Sequence, residues 1–225
     1  MTTETAPTSP ALARDTPGEF SEALRVFCSH SSPRLLILAA LGTLTARVVV
    51  GSWSALDLLV PVVIASLWPL LEWLIHVHLL HFRPRTVLGI RIDPLNARRH
   101  REHHLDPWRF ERAFIPVPGL LFALAKLLAV AALSPWPVAW TAVLSIVLLG
   151  LHYEWVHYLA HVRYCPRSYR YRMLVLNHRR HHFKSEKYWM GVSMLSGDLL
   201  MGTAAEPHHV EHSPTVRHLH KGEAA

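Results

Sequence analysis

The chain holds 18 histidines in 225 residues, and ten of them fall into two matching series. In the first, His76-x4-His81 is followed after eighteen residues by His100-x2-His103-His104. In the second, His157-x3-His161 is followed after sixteen residues by His178-x2-His181-His182, the last three inside the stretch NHRRHH. A lone histidine is ordinary, but a repeated order and spacing points to metal ligation. Residues at i, i+3 and i+4 lie within a sector of about 100° on a helix, so each HxxHH run presents three imidazoles on one face. His157 and His161, one turn apart, share a face as well. His76 and His81 would be splayed by about 140° on a straight helix, so the helix end is expected to turn near Arg83-Pro84 and bring both inward.

Ten neutral imidazoles can saturate two ions with five nitrogens each and leave one position per ion for water or an oxygen species, whereas a structural zinc needs only four ligands. Imidazole suits iron, copper, nickel and zinc, so ligand type alone does not choose the metal. Glu72 lies one turn before His76 and Glu154 three residues before His157. Both are candidates to orient a liganding ring from behind, and His152 is a third candidate for such a supporting role. Asp106 and Asn177 adjoin the motifs without an evident part in them. His208, His209, His212, His218 and His220 keep no regular spacing and read as a solvated tail.

The elements that must position these residues are apolar. Hydrophobic residues make up 51% of the chain and concentrate in four stretches, Leu35 to Val50, Ala55 to Ile75, Ala113 to Leu133 and Pro137 to Leu151. The pattern predicts an all-α integral membrane bundle of four transmembrane helices, arranged as two hairpins, with a cytoplasmic helical cap that carries the histidine motifs. Arg47 and Lys126 interrupt two of the stretches and call for snorkelling or burial in the bundle. Residues 1–33 are expected to be a flexible tail, 34–206 the membrane-embedded domain and 207–225 a second tail.

Charge placement orients the bundle. Of the 23 Lys and Arg, 21 fall on one side if the chain crosses four times, and the connectors GSWSA and SPWP on the other side hold none. The positive-inside tendency then puts both termini and the histidine motifs in the cytoplasm, with Trp53 and Trp136 as anchors at the far interface. The formal charge of +7 has no nucleic-acid motif beside it, so membrane topology accounts for it and a nucleic-acid partner is excluded. Cys28 and Cys165 are too few and too far apart for a disulfide framework and read as reduced, structural thiols.

The series HVHLLH, HREHH, HYLAH and HRRHH resembles, in order, the histidine boxes of the membrane-bound fatty acid hydroxylase superfamily. The segment HHFKSEKYWMGVSMLSGDLLMGT resembles that family's ending, where a short helix closes over the site. Residues 72–203 carry the likeness. Among the branches it is similar to bacterial fatty acid hydroxylase and sterol desaturase-like proteins, and DPWRFERAFIPVP resembles the segment after the second box of fatty acid 2-hydroxylases. The resemblance implies a non-haem di-iron oxidase. One ion would take His76, His81, His100, His104 and His181, and the other His103, His157, His161, His178 and His182, a division that the spacing alone does not supply.

The resemblance also implies oxygen-dependent hydroxylation of an unactivated C–H bond in a fatty acyl-type lipid, with no catalytic residue beyond the metal ligands. Two iron ions would serve as cofactor, with zinc as a substitute in purified protein, and dioxygen as co-substrate. The leading residues are too few for a fused cytochrome b5 domain, so electrons are expected from a separate ferredoxin or cytochrome b5-like protein and its reductase. An apolar substrate would enter sideways from the bilayer, past Trp73, Trp155, Trp189, Met190 and Met194 as candidate lining. Two alternatives stand beside this reading. One is a desaturase or oxidase of a sterol, carotenoid or specialised metabolite with the same metals. The other is a membrane metal or haem-binding protein, which would place its histidines deep inside the spans rather than at helix ends.

Overall fold

A computed structural model of the chain describes residues 16–219. A short helix α1 (Phe20–Ser29) leads into α2 (Ser31–Val50), and after a tight turn α3 (Leu56–Leu74) returns and runs on as a π-helical segment, Ile75–Leu80. Strands β1 (Arg85–Val87) and β2 (Ile90–Ile92) form a small antiparallel hairpin that pairs Arg85 with Ile92. Helix α4 (Leu95–Leu105) follows, then a 3-10 turn at Phe110–Ala113. A second long pair, α5 (Val117–Leu133) and α6 (Val138–Ala160), precedes α7 (Tyr169–Phe183) and the short α8 (Ser196–Met201).

Among the described residues four segments are long and apolar enough to cross a membrane: α2, α3 with its π-helical end, Phe110–Leu133 and α6. They are the four spans that the apolar stretches predict, with α2 and α3 joined by the turn but each packed chiefly against α6. Leu58, Val62, Phe122, Val130 and Leu133 stand exposed on their outer faces. Apolar surface of that kind is stable against lipid and costly against water. Helix α6 is the central post, packing against α2, α3, α5 and α7. Its inner face carries Val143 and Val147 into a core with Leu36, Leu120, Leu124 and Ala131. Nearer the histidines, Tyr158, Leu159 and Ala160 form a second core with Ala23, Phe27 and Val175.

Arg47 neither snorkels nor tilts outward. Its guanidinium is 1% exposed and makes two contacts of 2.7 Å to the Asp57 carboxylate, one from Nε and one from Nη2. Thr141 donates to the same carboxylate, and the Arg47 side chain also donates to the Gly51 carbonyl and lies 3.9 Å from the centre of the Trp53 ring. One cation thus ties the end of α2, the turn, the start of α3 and the start of α6 at the end of the bundle opposite the histidines.

The tails depart from expectation. Residues 1–15 and 220–225, with His220, lie outside the described residues. Phe20–Ser29, however, is helical and packed, with Ala23 fully buried and Phe27 4% exposed. Phe20, Ala23 and Phe27 recur at helical spacing, which outweighs the polar composition around them. At the other end Ser213, Val216 and Leu219 are buried, so residues 213–219 form a strap across the cap. Cys28 and Cys165 are both exposed free thiols rather than packed structural ones.

Removing one partner of an enclosed ion pair strands the other charge, whereas replacing both by apolar residues can be neutral. Asp57→Ala is therefore expected to lower the thermal unfolding temperature in detergent markedly. The double variant Arg47→Met, Asp57→Leu is expected to recover most of it. A single variant as stable as the parent would show that the pair does not hold the turn.

Candidate metal centre

Four elements deliver the ten histidines. The π-helical end of α3 carries His76 and the residue after it is His81; α4 carries His100, His103 and His104; α6 carries His157 in its last turn and is capped by His161; α7 carries His178, His181 and His182. The convergence of His76 and His81 does not come from a turn at Arg83-Pro84. The His81 N–H donates to the His76 carbonyl at 2.9 Å, and this i→i+5 bond widens the helix so that residues five apart stand over one another. Their ring centres are 4.9 Å apart.

All ten meet in one cluster, and all except the half-buried His81 are buried. Ligand nitrogens of His103, His157, His161, His178 and His182 lie within 4.8 Å of one another, and those of His76, His81, His100 and His181 form a second such group. His104 adjoins the second group, with its Nε2 3.1 Å from that of His100, and its ring centre is 4.1 Å from that of His182.

The chemistry of these nitrogens fits bound cations. The carbonyls of Met190, Val216 and Tyr188 lie 2.6, 3.0 and 2.9 Å from Nδ1 of His76, His104 and His181. A carbonyl only accepts, so each of those Nδ1 atoms carries the proton and each neutral ring turns an Nε2 lone pair inward. His76 and His104 both aim theirs at Nε2 of His100, at 3.3 and 3.1 Å. One proton on His100 can satisfy only one of them. In the other group, Nε2 of His103 is 3.1 Å from that of His161 and 3.2 Å from that of His157, and His178 and His182 meet at 2.9 Å. Convergent lone pairs of this kind repel one another unless a positive ion lies among them. Burial, reinforced by neighbouring imidazoles, holds His100, His103, His161, His178, His181 and His182 well below the ordinary value of 6.5, and burial holds His104 down to about 3. The rings are accordingly neutral at pH 7, the form that binds a metal.

Two buried carboxylates set the loop beneath His76. Asp198 accepts from the N–H groups of Met190 and Gly191 at 2.7 and 2.9 Å, and Glu72 accepts from those of Val192 and Ser193 at 2.5 and 2.9 Å. The Ser193 hydroxyl also donates to Glu72, and Asn177 donates to both the Gly191 carbonyl and Asp198. Glu72 therefore acts on His76 through the loop and the Met190 carbonyl, not by touching the ring. Glu154 stands in Glu-x-x-His spacing with His157, but its carboxylate accepts from Ser32 Oγ at 2.5 Å and from the Ile115 N–H at 2.8 Å. It ties the start of α2 to the approach to α5 instead of orienting an imidazole. His152 lies 3.4 Å from the Tyr171 hydroxyl and also bonds to the backbone of Ser193, in the loop beneath His76.

Asp198 is not evident from the sequence because no histidine lies near it in the chain. The available signal was the pair of glycines around it. A Cβ on Gly197 would stand 2.5 Å from the Pro69 carbonyl oxygen, and one on Gly191 would run into the Met194 carbonyl and approach Asp198 at 2.9 Å. Close approach of backbone to backbone at Gly197 seats α8 against α3, and at Gly191 it folds the loop onto itself.

A cavity of about 200 Å³ reaches the cluster. His76, His100 and His157 form part of its wall, with Trp68, Tyr153, Phe114, Ile75, Leu79 and Ile115, and Asn96, Arg99 and Arg112 add polar groups. None of the five residues expected as lining takes part. Trp73 donates to Thr203 Oγ1, Trp155 packs edge-on against Phe27, and Trp189 donates to the Ala205 carbonyl.

A family model described as fatty acid hydroxylase matches residues 61–203, which include all ten histidines. The chain is 33% identical over 129 residues to a fatty acid 2-hydroxylase of Macaca fascicularis, an overlap covering 56% of this chain and 34% of the relative. It is 31% identical over 146 residues to a fatty acid 2-hydroxylase of Homo sapiens, covering 63% and 39%. The chain thus spans between a third and two fifths of the length of these relatives. No solved structure matches it.

Two outcomes are expected of this geometry. Asp198→Asn puts an amide donor against backbone donors, and loss of such a support for a liganding ring weakens metal retention by about 10–100-fold, measurable by chelator competition. In metal-free protein, the depressed histidines contribute stability that is fully present above 6.5 and lost as pH falls from there toward about 3, because the unfolded chain takes up protons that the folded one excludes. Thermal unfolding after metal removal, followed from pH 8 to pH 5, checks the sign. A melting temperature that rises on acidification would contradict it.

Proposed function

Because the chain belongs to the fatty acid hydroxylase family, we propose that it is a membrane oxidoreductase that uses dioxygen to hydroxylate an unactivated C–H bond in the acyl chain of a lipid. The observation that carries the reading is the convergence of imidazole lone pairs on the wall of a largely apolar cavity, at the ends of spans that a lipid tail can reach from the side. One dioxygen, two electrons and two protons convert C–H to C–OH and release one water. When bound, a pair of iron ions supplies the means of activating dioxygen for that step.

His76, His81, His100, His104 and His181 would hold one ion, and His103, His157, His161, His178 and His182 the other. The observed grouping supports this division for nine of the ten, with His104 adjoining its group through His100. The carbonyls of Met190, Val216 and Tyr188 fix the tautomer and direction of three rings. The apolar wall, with Trp68, Phe114 and Tyr153, keeps water away and holds one carbon of the chain beside the cluster, and positioning of this kind is a large part of what the protein contributes. Arg99 and Arg112 offer cations to a polar or anionic headgroup. The excess of Lys and Arg at the histidine end supports a cytoplasmic site, supplied with electrons by a ferredoxin or cytochrome b5-like protein.

The test combines metal analysis with product analysis. The full chain, reconstituted anaerobically with ferrous iron, should hold about two irons per chain, with five imidazoles to each. With a supplied reductant and oxygen it should yield a hydroxylated acyl lipid. His103→Ala and His181→Ala should abolish product while leaving an inserted protein, and His212→Ala should have little effect. Zinc-only occupancy without oxygen-dependent turnover would overturn the reading, and an alkene product would replace hydroxylation by desaturation.

A further inference from the structure

We propose that the outer face of α4, with the β-hairpin and the 213–219 strap beside it, docks an acidic one-electron carrier protein. The inference rests on the hydroxylase reading, since each turnover then needs two electrons from outside the chain. Each docking event would oxidise one carrier and pass one electron. Two such events, with two protons from water, balance the dioxygen whose atoms end in C–OH and in water.

Helix α4 has two working faces. His100, His103 and His104 share one, and Arg98, Arg101 and Leu105 lie on the other, centred about 140° around the axis. The histidine face meets His76 and His157 from the ends of two spans, so the opposite face is turned away from those two span ends. There a groove is lined by Arg83, Arg91, Arg98, Arg101 and Arg217, with Glu102 as its acidic member. Asp93 takes up part of this charge, 2.5 Å from Arg101 and 3.9 Å from Arg91. Arg98 is exposed and has no acidic partner among the described residues, and the Arg91 side chain is 74% exposed. A basic groove with exposed cations complements an acidic soluble protein.

The groove is also next to the cluster. Arg217 forms part of its wall, and the residue before it, Val216, accepts the His104 Nδ1 hydrogen bond at 3.0 Å. One peptide unit, one hydrogen bond and one imidazole therefore connect the docking surface to the ligand nitrogens. The strap is held in place by Ser213, whose N–H donates to the Lys184 carbonyl at 2.8 Å and whose hydroxyl donates to Glu186 at 3.0 Å.

The experiment uses the full chain, iron-loaded and in nanodiscs, with two probes: an acidic [2Fe–2S] ferredoxin and a soluble cytochrome b5 domain. Binding of at least one probe should weaken steeply with salt. The double variant Arg91→Glu, Arg98→Glu should weaken it by about tenfold at low ionic strength, whereas Arg170→Glu, Arg172→Glu on α7 should leave it nearly unchanged. Product formed with dithionite as reductant should persist in the first pair, because a small reductant needs no docking surface. Absence of binding by either probe, equal loss from both pairs, or loss of binding to phosphatidylserine vesicles in place of the carriers would overturn the inference. Failure of the parent chain to oxidise lipid with dithionite would instead overturn the hydroxylase reading, and the binding data would distinguish the two.

Discussion

The cap answers to the convergence of ten imidazoles, of which His76, His104 and His181 turn their Nε2 lone pairs inward. A buried polar group left without a partner costs about 1–3 kcal/mol, and the net stability of a folded domain is only about 5–15 kcal/mol. Even a few such rings would consume much of that margin. Cations among the nitrogens would turn the same arrangement into a source of stability, and metal binding would then be coupled to folding of the cap. The depressed proton affinity of the buried rings belongs to the same constraint, since a protonated cluster would carry several like charges in a poorly solvated place.

Holding the rings against that repulsion takes backbone, and the backbone takes carboxylates. Met190 and Tyr188 offer carbonyls to His76 and His181 from a loop that makes no regular structure of its own. Glu72 from α3 and Asp198 from α8 each accept two of its consecutive N–H groups. The strap does the same for His104 through Val216. Two segments, the loop and the strap, thereby fix the direction of rings on helices they do not belong to.

The two ends of the bundle solve opposite electrostatic problems. At one end a single cation, Arg47, is buried and satisfied by a carboxylate, a hydroxyl, a carbonyl and an indole face. At the other, many cations remain in contact with water while the neutral rings go inside. The lipid-facing middle needs neither, and the cavity opens between these regimes, apolar toward the spans and lined by arginines toward the cap. A molecule with a long apolar tail and a polar head matches that gradient.

The four spans, the family and the repeated spacing of the histidines were legible in the sequence because they depend on local quantities: residue type, spacing along a helix and the length of apolar runs. Composition misled at both tails, where a few well-spaced apolar residues, Ala23, Phe27, Val216 and Leu219, pack despite polar neighbours. The π-helical step that unites His76 and His81 was also hidden, since a change of helical pitch follows from the packing around it rather than from the spacing itself. Only the tertiary structure decided which imidazoles face one another, that Glu72 works through a loop and Glu154 on a different joint, and that Asp198 belongs to the centre at all. Those outcomes depend on where side chains on separate elements point once packed, which spacing within one segment does not encode.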